Sequence, residues 1–269
     1  MLLLGDAAKV LKDFNDNCIS LTVTSPPYDK LRDYGGYSFD FETLAKELYR
    51  VTTEGGIVVW VIGDGTEDGE ETGSSFRQAL GFKDIGFKLH DTMIYSKKGF
   101  SKPARNRYHQ TFEYMFILSK GRPKTFNPIM DKPNSCAGML DKENYFRESN
   151  GSFSKRRRYN LIYRKYGMRY NVWIYDNAYA KGSPDKITSD HPATFPEQLA
   201  QDHIKSWSNE GDLILDPFAG SGTTLKAAQQ LNRKWIGIEI NPDYVQLAKK
   251  RLTPYVQQQR LEQFLPKFN

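Results

Sequence analysis

Residues 25–28 are the first residues of the chain whose types and spacing could carry chemistry. Ser25-Pro26-Pro27-Tyr28 directly follows an apolar run. The two prolines fix a rigid turn, because each ring sets its own φ and Pro27 also restricts Pro26. Neither proline has an N–H, so the carbonyl groups of Ser25 and Pro26 point in defined directions without a competing donor. The turn presents hydrogen-bond acceptors, although a Pro-Pro turn can also be purely structural.

Acceptors of this kind suit methylation of an aromatic amine, whose nitrogen lone pair is delocalised into the ring and is therefore a weak nucleophile. The Ser25 side-chain oxygen and the Pro26 carbonyl can accept hydrogen bonds from the amino group. These bonds favour a tetrahedral nitrogen with its lone pair aimed at a methyl donor. Tyr28 can stack on the ring, and a base in duplex DNA must be flipped out to reach such a site. We interpret residues 25–28 as a candidate catalytic turn.

A second stretch, Asp216 to Thr224, has the features of a ligand-binding loop. It follows the strand pattern of residues 213–215 and contains Gly220 and Gly222, which let the backbone approach a ligand closely. Leu225 stands where a dinucleotide-binding fingerprint needs its third glycine, and the loop lacks the lysine of a phosphate-binding loop. A dinucleotide-binding loop and a phosphate-binding loop are therefore both weakly supported interpretations.

Carboxylates at two predicted strand ends indicate which kind of ligand the loop binds. Glu239 ends the next strand, 23 positions after Asp216, where it can accept hydrogen bonds from both hydroxyls of a ribose. Asp216 can face a cationic group. S-adenosylmethionine carries an ammonium and a sulfonium but no phosphate, so these features suit it better than NAD. The structural alternative is a turn with a capping aspartate and a solvated glutamate.

Together the two stretches resemble motif IV and motif I of the amino-methylating DNA methyltransferases, in the order of the β group. The catalytic motif precedes the cofactor motif by almost the full chain, and a basic segment lies between them. The resemblance covers residues 1–120 and 190–269. It implies an α/β, Rossmann-like methyltransferase fold with a mixed, mostly parallel sheet and an inserted DNA-recognition region. It also implies S-adenosylmethionine as cofactor and double-stranded DNA as substrate.

The resemblance implies roles for further residues. His191 to Pro196 resembles the motif that contacts the methionine end of the cofactor, and within it we choose Thr194 and Phe195. Gly5-Asp6-Ala7 resembles the element near the adenine, so Asp6 can bind the adenine amino group or can cap a helix. The predicted catalytic residues are Ser25, Pro26, Pro27 and Tyr28. The predicted cofactor-binding residues are Asp6, Thr194, Phe195, Asp216, Phe218, Gly220, Gly222, Thr223 and Glu239.

Ser25 bears on which base is the target. In this family a serine at the first position of the catalytic motif is associated mainly with cytosine N4, and an aspartate mainly with adenine N6. We therefore predict cytosine N4, with adenine N6 as the alternative. Methylation at cytosine C5 needs a nucleophilic cysteine beside a proline, and neither Cys18 nor Cys136 has a proline beside it. An RNA amine methyltransferase, an NAD-dependent oxidoreductase and a DNA-binding module without catalysis are further alternatives.

Basic residues are concentrated in one part of the chain. The chain contains 38 Lys and Arg against 32 Asp and Glu, and residues 121–190 alone contain 14 against 7. Residues 155–170 include seven basic and no acidic residues, interleaved with tyrosines. This composition predicts contacts to nucleic acid, with a solvated basic face as the alternative. The predicted DNA-binding residues are Lys155, Arg156, Arg157, Arg158, Arg164 and Lys165.

Strand and helix patterns alternate on both sides of the basic segment. The predicted strands cover residues 19–23, 56–62, 89–95, 114–118, 213–215 and 235–240. The predicted helices cover residues 41–49, 196–207, 223–231 and 242–252. The alternation fades between residues 121 and 189, which we interpret as an inserted target-recognition region. Residues 1–120 and 190–269 are then the catalytic and cofactor-binding domain.

Cysteine content and hydropathy indicate a soluble, cytoplasmic protein. The two cysteines show neither metal-ligand spacing nor a disulfide framework, so no metal is expected. No apolar run approaches the length that spans a membrane. The resemblance further suggests a restriction-modification system, with a cognate endonuclease as partner, and it allows a homodimer.

Overall fold

The computed structural model of the chain describes residues 1–27, 39–99, 106–140, 144–156, 162–176 and 196–255. The chain divides into two compact units, one made of residues 1–127 and 171–269 and the other of residues 128–170. In the described ranges, no helix combines the length and the apolar character that crossing a membrane requires.

The described residues form fourteen strands. In chain order they are β1 (Leu2–Leu4), β2 (Ile19–Thr24), β3 (Thr52–Ile62), β4 (Thr66–Glu67), β5 (Glu70–Glu71), β6 (Lys88–Lys97), β7 (Phe112–Ser119), β8 (Lys132–Pro133), β9 (Asn144–Arg147), β10 (Phe153–Arg156), β11 (Tyr166–Gly167), β12 (Val172–Tyr175), β13 (Leu213–Asp216) and β14 (Lys234–Glu239). Among the described residues, eight of them form the main sheet in the order β1-β14-β13-β2-β3-β7-β6-β12. Strand β7 is antiparallel to both neighbours, and every other neighbouring pair is parallel. The predicted mixed, mostly parallel sheet is confirmed.

Helices pack against this sheet. They are α1 (Ala7–Val10), α2 (Phe41–Val51), α3 (Ser74–Ile85), α4 (Glu197–Trp207), α5 (Thr223–Gln230) and α6 (Pro242–Leu252). Buried residues of α1, α2 and α3 share one apolar cluster with alternate residues of β3, namely Val58, Trp60 and Ile62. The intervening β3 residues face the opposite side of the sheet, and α4 and α5 pack against β2 and β13. The predicted Rossmann-like α/β fold is therefore confirmed.

Trp60 lies at the centre of the cluster shared with α1–α3. Its ring is fully buried and packs edge-to-face on Phe82 at a centroid distance of 5.0 Å, while Phe41 packs on Phe82 at the same distance. Such aromatic pairs add roughly 0.5–1.5 kcal/mol each beyond the area they bury. The indole N–H donates to Gln78 Oε1 at 2.8 Å, so the polar atom of this buried ring is satisfied.

All ten predicted strands and helices are present, with ends that differ by at most four residues. The elements that were not predicted include β1, α3 and β12. Strand β12 lies within residues 121–189, yet it pairs with β6 in the main sheet and buries Trp173 and Tyr175. The compact smaller unit therefore begins later and ends earlier than the irregular stretch of the sequence.

The smaller unit, residues 128–170, contains two antiparallel ribbons. One joins β8 to β11 and the other joins β9 to β10. The Arg169 side chain pairs with the Asp131 carboxylate, and the Arg169 N–H donates to the Ile129 carbonyl at 2.9 Å. The role of this unit in target recognition remains a prediction.

Candidate active site

The carboxyl ends of three neighbouring parallel strands form the candidate site. Strands β14, β13 and β2 are adjacent, and they end at Glu239, Asp216 and Thr24. Ligands of open α/β sheets bind at this edge. The predicted catalytic turn and the predicted cofactor loop both begin here, although Thr24 and Asp216 are 192 positions apart in the sequence.

Asp216 is buried and contacts both motifs. Its Oδ1 accepts hydrogen bonds from Thr24 Oγ1 (2.7 Å) and from the Phe218 N–H (3.1 Å). The Thr224 hydroxyl also hydrogen-bonds this carboxylate and lies 3.2 Å from the Val23 carbonyl oxygen. Burial raises the pKa of Asp216 to about 6, against the opposing effect of these hydrogen bonds. Asp216 therefore connects the end of β2 to the loop through hydrogen bonds.

Glu239 holds the same loop from β14. Its Oε2 accepts a hydrogen bond from the Gly220 N–H (2.8 Å), and its Oε1 accepts one from the Asn241 N–H (2.9 Å). Burial raises the pKa of Glu239, and the backbone hydrogen bonds act in the opposite direction. Each carboxylate oxygen keeps a further lone pair. The side chain can thus still accept hydrogen bonds from a ligand.

The loop enters helix α5 at Gly222, whose φ of 78° lies in the left-handed region that favours glycine. A Cβ at this position would also come within 3.3 Å of Ala248 Cβ in α6. Arg251 of α6 binds the loop directly, because its Nη1 donates to Ser221 O (3.0 Å) and to Thr223 Oγ1 (2.9 Å). Helix α6 therefore supports the conformation of the loop.

Arg251 belongs to a buried ion network. Its side chain is only 3% exposed, and its Nη2 lies 3.7 Å from Glu197 Oε2 of α4. The same Glu197 oxygen pairs with Lys226 Nζ of α5 at 2.8 Å. Buried charges are tolerated when they are paired and hydrogen-bonded, as these are. The network connects α4, α5 and α6.

Aromatic rings lie beside the loop. The half-buried Phe218 ring packs edge-to-face on Phe39, with centroids 5.0 Å apart, and lies 6.2 Å from the Trp60 ring. Phe39 directly precedes the N-cap of α2. Apolar ring surface thus lies next to the polar strand ends, a combination that suits a ligand with both an aromatic base and polar groups.

A protein-family model described as DNA methylase, N6_N4_Mtase, matches residues 19–250, a range that includes both motifs. The chain belongs to this DNA methylase family. The resemblance predicted from the two motifs is thereby confirmed.

Known relatives of this methylase cover nearly its whole length. The orphan methyltransferase M.BamHII of Bacillus amyloliquefaciens is 55% identical over 246 residues, which are 91% of this chain and 92% of that protein. Among solved structures, PvuII DNA methyltransferase (cytosine-N4-specific) aligns with a TM-score of 0.66 at 20% identity, covering 97% of this chain and 88% of that one. TTHA0409 of Thermus thermophilus, solved in complex with S-adenosyl-L-methionine, aligns with a TM-score of 0.60 at 25% identity over 96% of both chains.

In this methylase, the residues predicted to be catalytic directly follow β2. Pro26 is buried, and Ser25 and Pro27 are half-buried. Thr24, which precedes them, is anchored by its bond to Asp216. Tyr28 lies outside the described residues. Three of the four predicted residues therefore lie at the same sheet edge as the cofactor loop.

The predicted cofactor residues fall into two groups. Asp216, Phe218, Gly220, Gly222, Thr223 and Glu239 all belong to the strand ends and the loop described above. Asp6 follows β1 and caps α1, because its side chain accepts a hydrogen bond from the Ala8 N–H at 2.9 Å. The Gly5 N–H donates to the Glu239 carbonyl at 2.9 Å, so this cap lies beside the end of β14. Thr194 and Phe195 lie outside the described residues.

The predicted DNA-binding residues belong to the smaller unit. Lys155 on β10 is exposed, and so are Arg164 and Lys165. Arg156 contributes its backbone to β10. Arg157 and Arg158 lie outside the described residues. The contacts of all six residues to DNA remain predictions.

Sequence reasoning missed three residues that hold the site together: Thr24, Thr224 and Arg251. Thr24 and Thr224 stand at the edges of the two motifs, and their hydroxyls bind a carboxylate that sequence reasoning assigned to the ligand. Arg251 ends a run of three basic residues in α6 and looks solvated in the sequence. The period of the helix is the available signal, since Arg251 shares a face with the buried Ala248.

Proposed function

We propose that this methylase transfers a methyl group from S-adenosylmethionine to the exocyclic N4 of a cytosine flipped out of duplex DNA. The observation that carries the proposal is the Ser25-Pro26-Pro27 turn, which directly follows β2 and is joined through Thr24 to Asp216 of the loop. Serine at position 25 supports cytosine. Adenine N6 is the alternative, because the family includes enzymes of both kinds.

The residues of the loop fit S-adenosylmethionine. When bound, this cofactor supplies a methyl group on a sulfonium. Glu239 would accept the ribose hydroxyls, Phe218 would pack on the adenine, and Asp6, Thr194 and Phe195 remain predicted contacts. The nearby cations Lys226 and Arg251 are paired with Glu197, so the strand ends keep an acidic character that suits a positively charged ligand. The complex of TTHA0409 with S-adenosyl-L-methionine supports this assignment.

The catalytic turn would orient the amino group for attack. Ser25 Oγ and the Pro26 carbonyl would each accept one N–H of the cytosine amine, which turns the nitrogen lone pair out of the ring plane. The bound cofactor would supply its sulfonium methyl group to this nitrogen and would leave as a neutral thioether. The methylated amino group would then release one proton to solvent. Tyr28 would stack on the flipped base.

The partners follow from the relatives. DNA is the substrate of the family, and the 55% identical M.BamHII is named an orphan methyltransferase. We therefore propose that this chain also methylates DNA without a cognate endonuclease. This proposal replaces the expectation, based on the resemblance, that an endonuclease is its partner. Deletion of the gene tests this, since cells without a cognate endonuclease should keep their unmethylated DNA intact. Double-strand breaks after deletion would contradict it.

The decisive experiment is mass spectrometry of nucleosides from duplex DNA and from RNA, each treated with the protein and deuterium-labelled S-adenosylmethionine. We expect labelled N4-methylcytosine, and Ser25→Ala should slow its formation at least about 100-fold with nearly unchanged cofactor affinity. Ser20→Ala, a half-buried serine near the start of the same strand, is the matched control. Labelled N6-methyladenine would show that the target base is adenine and not cytosine. Label found only in RNA, or in no nucleoside, would overturn the proposal.

A further inference from the structure

The β9–β10 ribbon of the smaller unit carries two aromatic and two cationic side chains on one face. In its register Tyr145 is opposite Lys155, and Arg147 is opposite Phe153. Opposite residues of an antiparallel pair share a face, and so do residues two apart on one strand. All four side chains are exposed, with Tyr145 at 65% and Phe153 at 70%. We call these four residues the ribbon face.

The turn of the ribbon fixes which residues share this face. The Gly151 N–H donates to the Glu148 carbonyl (2.9 Å), and the Glu148 N–H donates to the Ser152 carbonyl (2.8 Å). Asn150 Oδ1 accepts the Ser152 N–H at 2.9 Å, and Gly151 has a φ of 85°. A three-residue loop that ends in a left-handed glycine is a standard hairpin connection. Because a one-residue slip would turn every side chain to the other face, the turn specifies the ribbon face.

The two aromatic rings do not stabilise the ribbon by burial. A two-stranded ribbon is marginally stable by itself, and aromatic residues normally contribute by leaving water. Here Tyr145 and Phe153 keep about two thirds of their surface in water. Large exposed apolar groups beside cations are typical of surfaces that contact another molecule.

We infer that the ribbon face contacts the major groove of duplex DNA, an inference that rests on the proposed function for its choice of DNA as the partner. The major groove is about 12 Å wide and admits a two-stranded β-ribbon, whose strands lie about 4.8 Å apart. Four residues per strand give a ribbon about 13 Å long, enough to span several base pairs.

The chemistry of the four residues matches this partner. Arg147 can donate two hydrogen bonds to a guanine edge, and Lys155 can pair with a phosphate. Phe153 can pack on a thymine methyl group, and Tyr145 can pack on a sugar or a base. Of these four residues, the basic segment of the sequence pointed only to Lys155. The ribbon register adds the other three.

Two double variants of the full chain test the inference. Arg147→Gln/Lys155→Gln removes both charges, and Tyr145→Ser/Phe153→Ser removes both rings. Affinity is measured by fluorescence anisotropy, without methyl donor, on a duplex of mixed sequence and on a duplex that contains a site methylated by the wild-type protein. We expect the charge variant to bind at least about tenfold more weakly and to lower the slope of log affinity against log salt by about one to two. The ring variant should bind the duplex that contains the target site at least about tenfold more weakly, and the slope of log affinity against log salt should not change.

Lys12→Gln/Lys83→Gln is the matched control, because it removes two exposed charges from the larger unit. It should change the affinity less than about twofold, and all variants should bind S-adenosylmethionine as the wild type does. Wild-type DNA affinity in both ribbon variants would overturn the inference. So would an altered sedimentation coefficient with intact DNA affinity, which would assign the face to a second copy of the chain. If the wild type binds DNA without methyl transfer while the charge variant binds the mixed-sequence duplex more weakly, the proposed function is overturned and the ribbon face remains supported.

Discussion

At the scale of single residues, the contact between Thr24 and Asp216 joins the predicted catalytic turn to the predicted cofactor loop. The bond is 2.7 Å long, and both residues are buried. A methyl transfer depends on the distance between donor and acceptor atoms, and misplacement by about 1 Å can cost about 100-fold in rate. A buried contact that couples the two halves of the site therefore bears on turnover as well as stability.

Replacing Thr24 by valine tests this coupling. Valine keeps the shape but removes the hydroxyl, so the buried Asp216 carboxylate loses one of its donors. The free energy of unfolding should fall by about 1–3 kcal/mol, and kcat should fall about tenfold or more. Denaturant unfolding and single-turnover methyl transfer measure the two effects. Thr24→Ser, which retains the hydroxyl, should recover most of both, and equal behaviour of the two variants would contradict the coupling.

The raised pKa of Asp216 predicts a pH dependence of stability. The folded protein keeps this proton up to a pH of about 6, whereas the unfolded chain releases it near 3.8. Between these values the folded state binds more protons, so the contribution of Asp216 to the free energy of unfolding falls as pH rises. The fall amounts to about 3 kcal/mol at most.

Comparison with Asp216→Asn isolates that contribution, because asparagine does not titrate. The stability of the wild type relative to the variant should decrease from about pH 4 to about pH 6 and remain constant above about pH 7. Urea titrations of both proteins across this range measure it. A difference that rises with pH would show that the folded-state pKa of Asp216 lies below that of the unfolded chain.

At the scale of elements, helix α6 acts on the cofactor loop through Arg251. The guanidinium binds Ser221 O and Thr223 Oγ1 of the loop and lies close to Glu197 of α4. None of these contacts requires Arg251 to touch the cofactor. The helix therefore supports the conformation that the loop has in the absence of a ligand.

Arg251→Met should weaken this support. Methionine retains the apolar stem but leaves two loop acceptors without their donor, so we expect a loss of about 2–4 kcal/mol in stability. The Kd for S-adenosylmethionine should rise about tenfold, because the loop must then be ordered on binding. Thermal unfolding and calorimetry measure both quantities. Lys250→Met, at the exposed neighbouring position, is the control and should leave both unchanged.

Elements with a strong local pattern were predictable, and those that depend on distant partners were not. Strand β3 contains a continuous apolar run, and α6 begins at an Asn241 cap followed by Pro242. Helix α3 follows Gly73, which has no capping side chain. Its cap is Asp64, whose Oδ1 accepts the Ser75 N–H at 2.9 Å from eleven positions upstream. No local rule could assign that cap.

At the scale of the whole molecule, the net positive charge comes from residues 121–190, which contain 14 Lys and Arg against 7 Asp and Glu. Six of these basic residues are predicted to contact DNA, and phosphate contacts make affinity depend on salt. If all six contact phosphates, raising the salt concentration from about 50 to about 200 mM should lower the DNA affinity about 10³-fold. Filter binding at several salt concentrations measures this. The affinity for S-adenosylmethionine is the internal control, and a slope shallower than about −2 would contradict the prediction.

The family, the α/β fold and the two motifs could be predicted from the amino-acid sequence alone, because proline turns, glycine loops and apolar periodicity are local properties that need no partner. The contacts of these residues could be seen only in the folded chain. There the Asp216 side chain is hydrogen-bonded to Thr24, the buried Arg251 is paired with Glu197, and β12 belongs to the main sheet. These facts depend on contacts between residues up to 192 positions apart. Strand order and burial create such contacts, since both arise only when the whole sheet assembles.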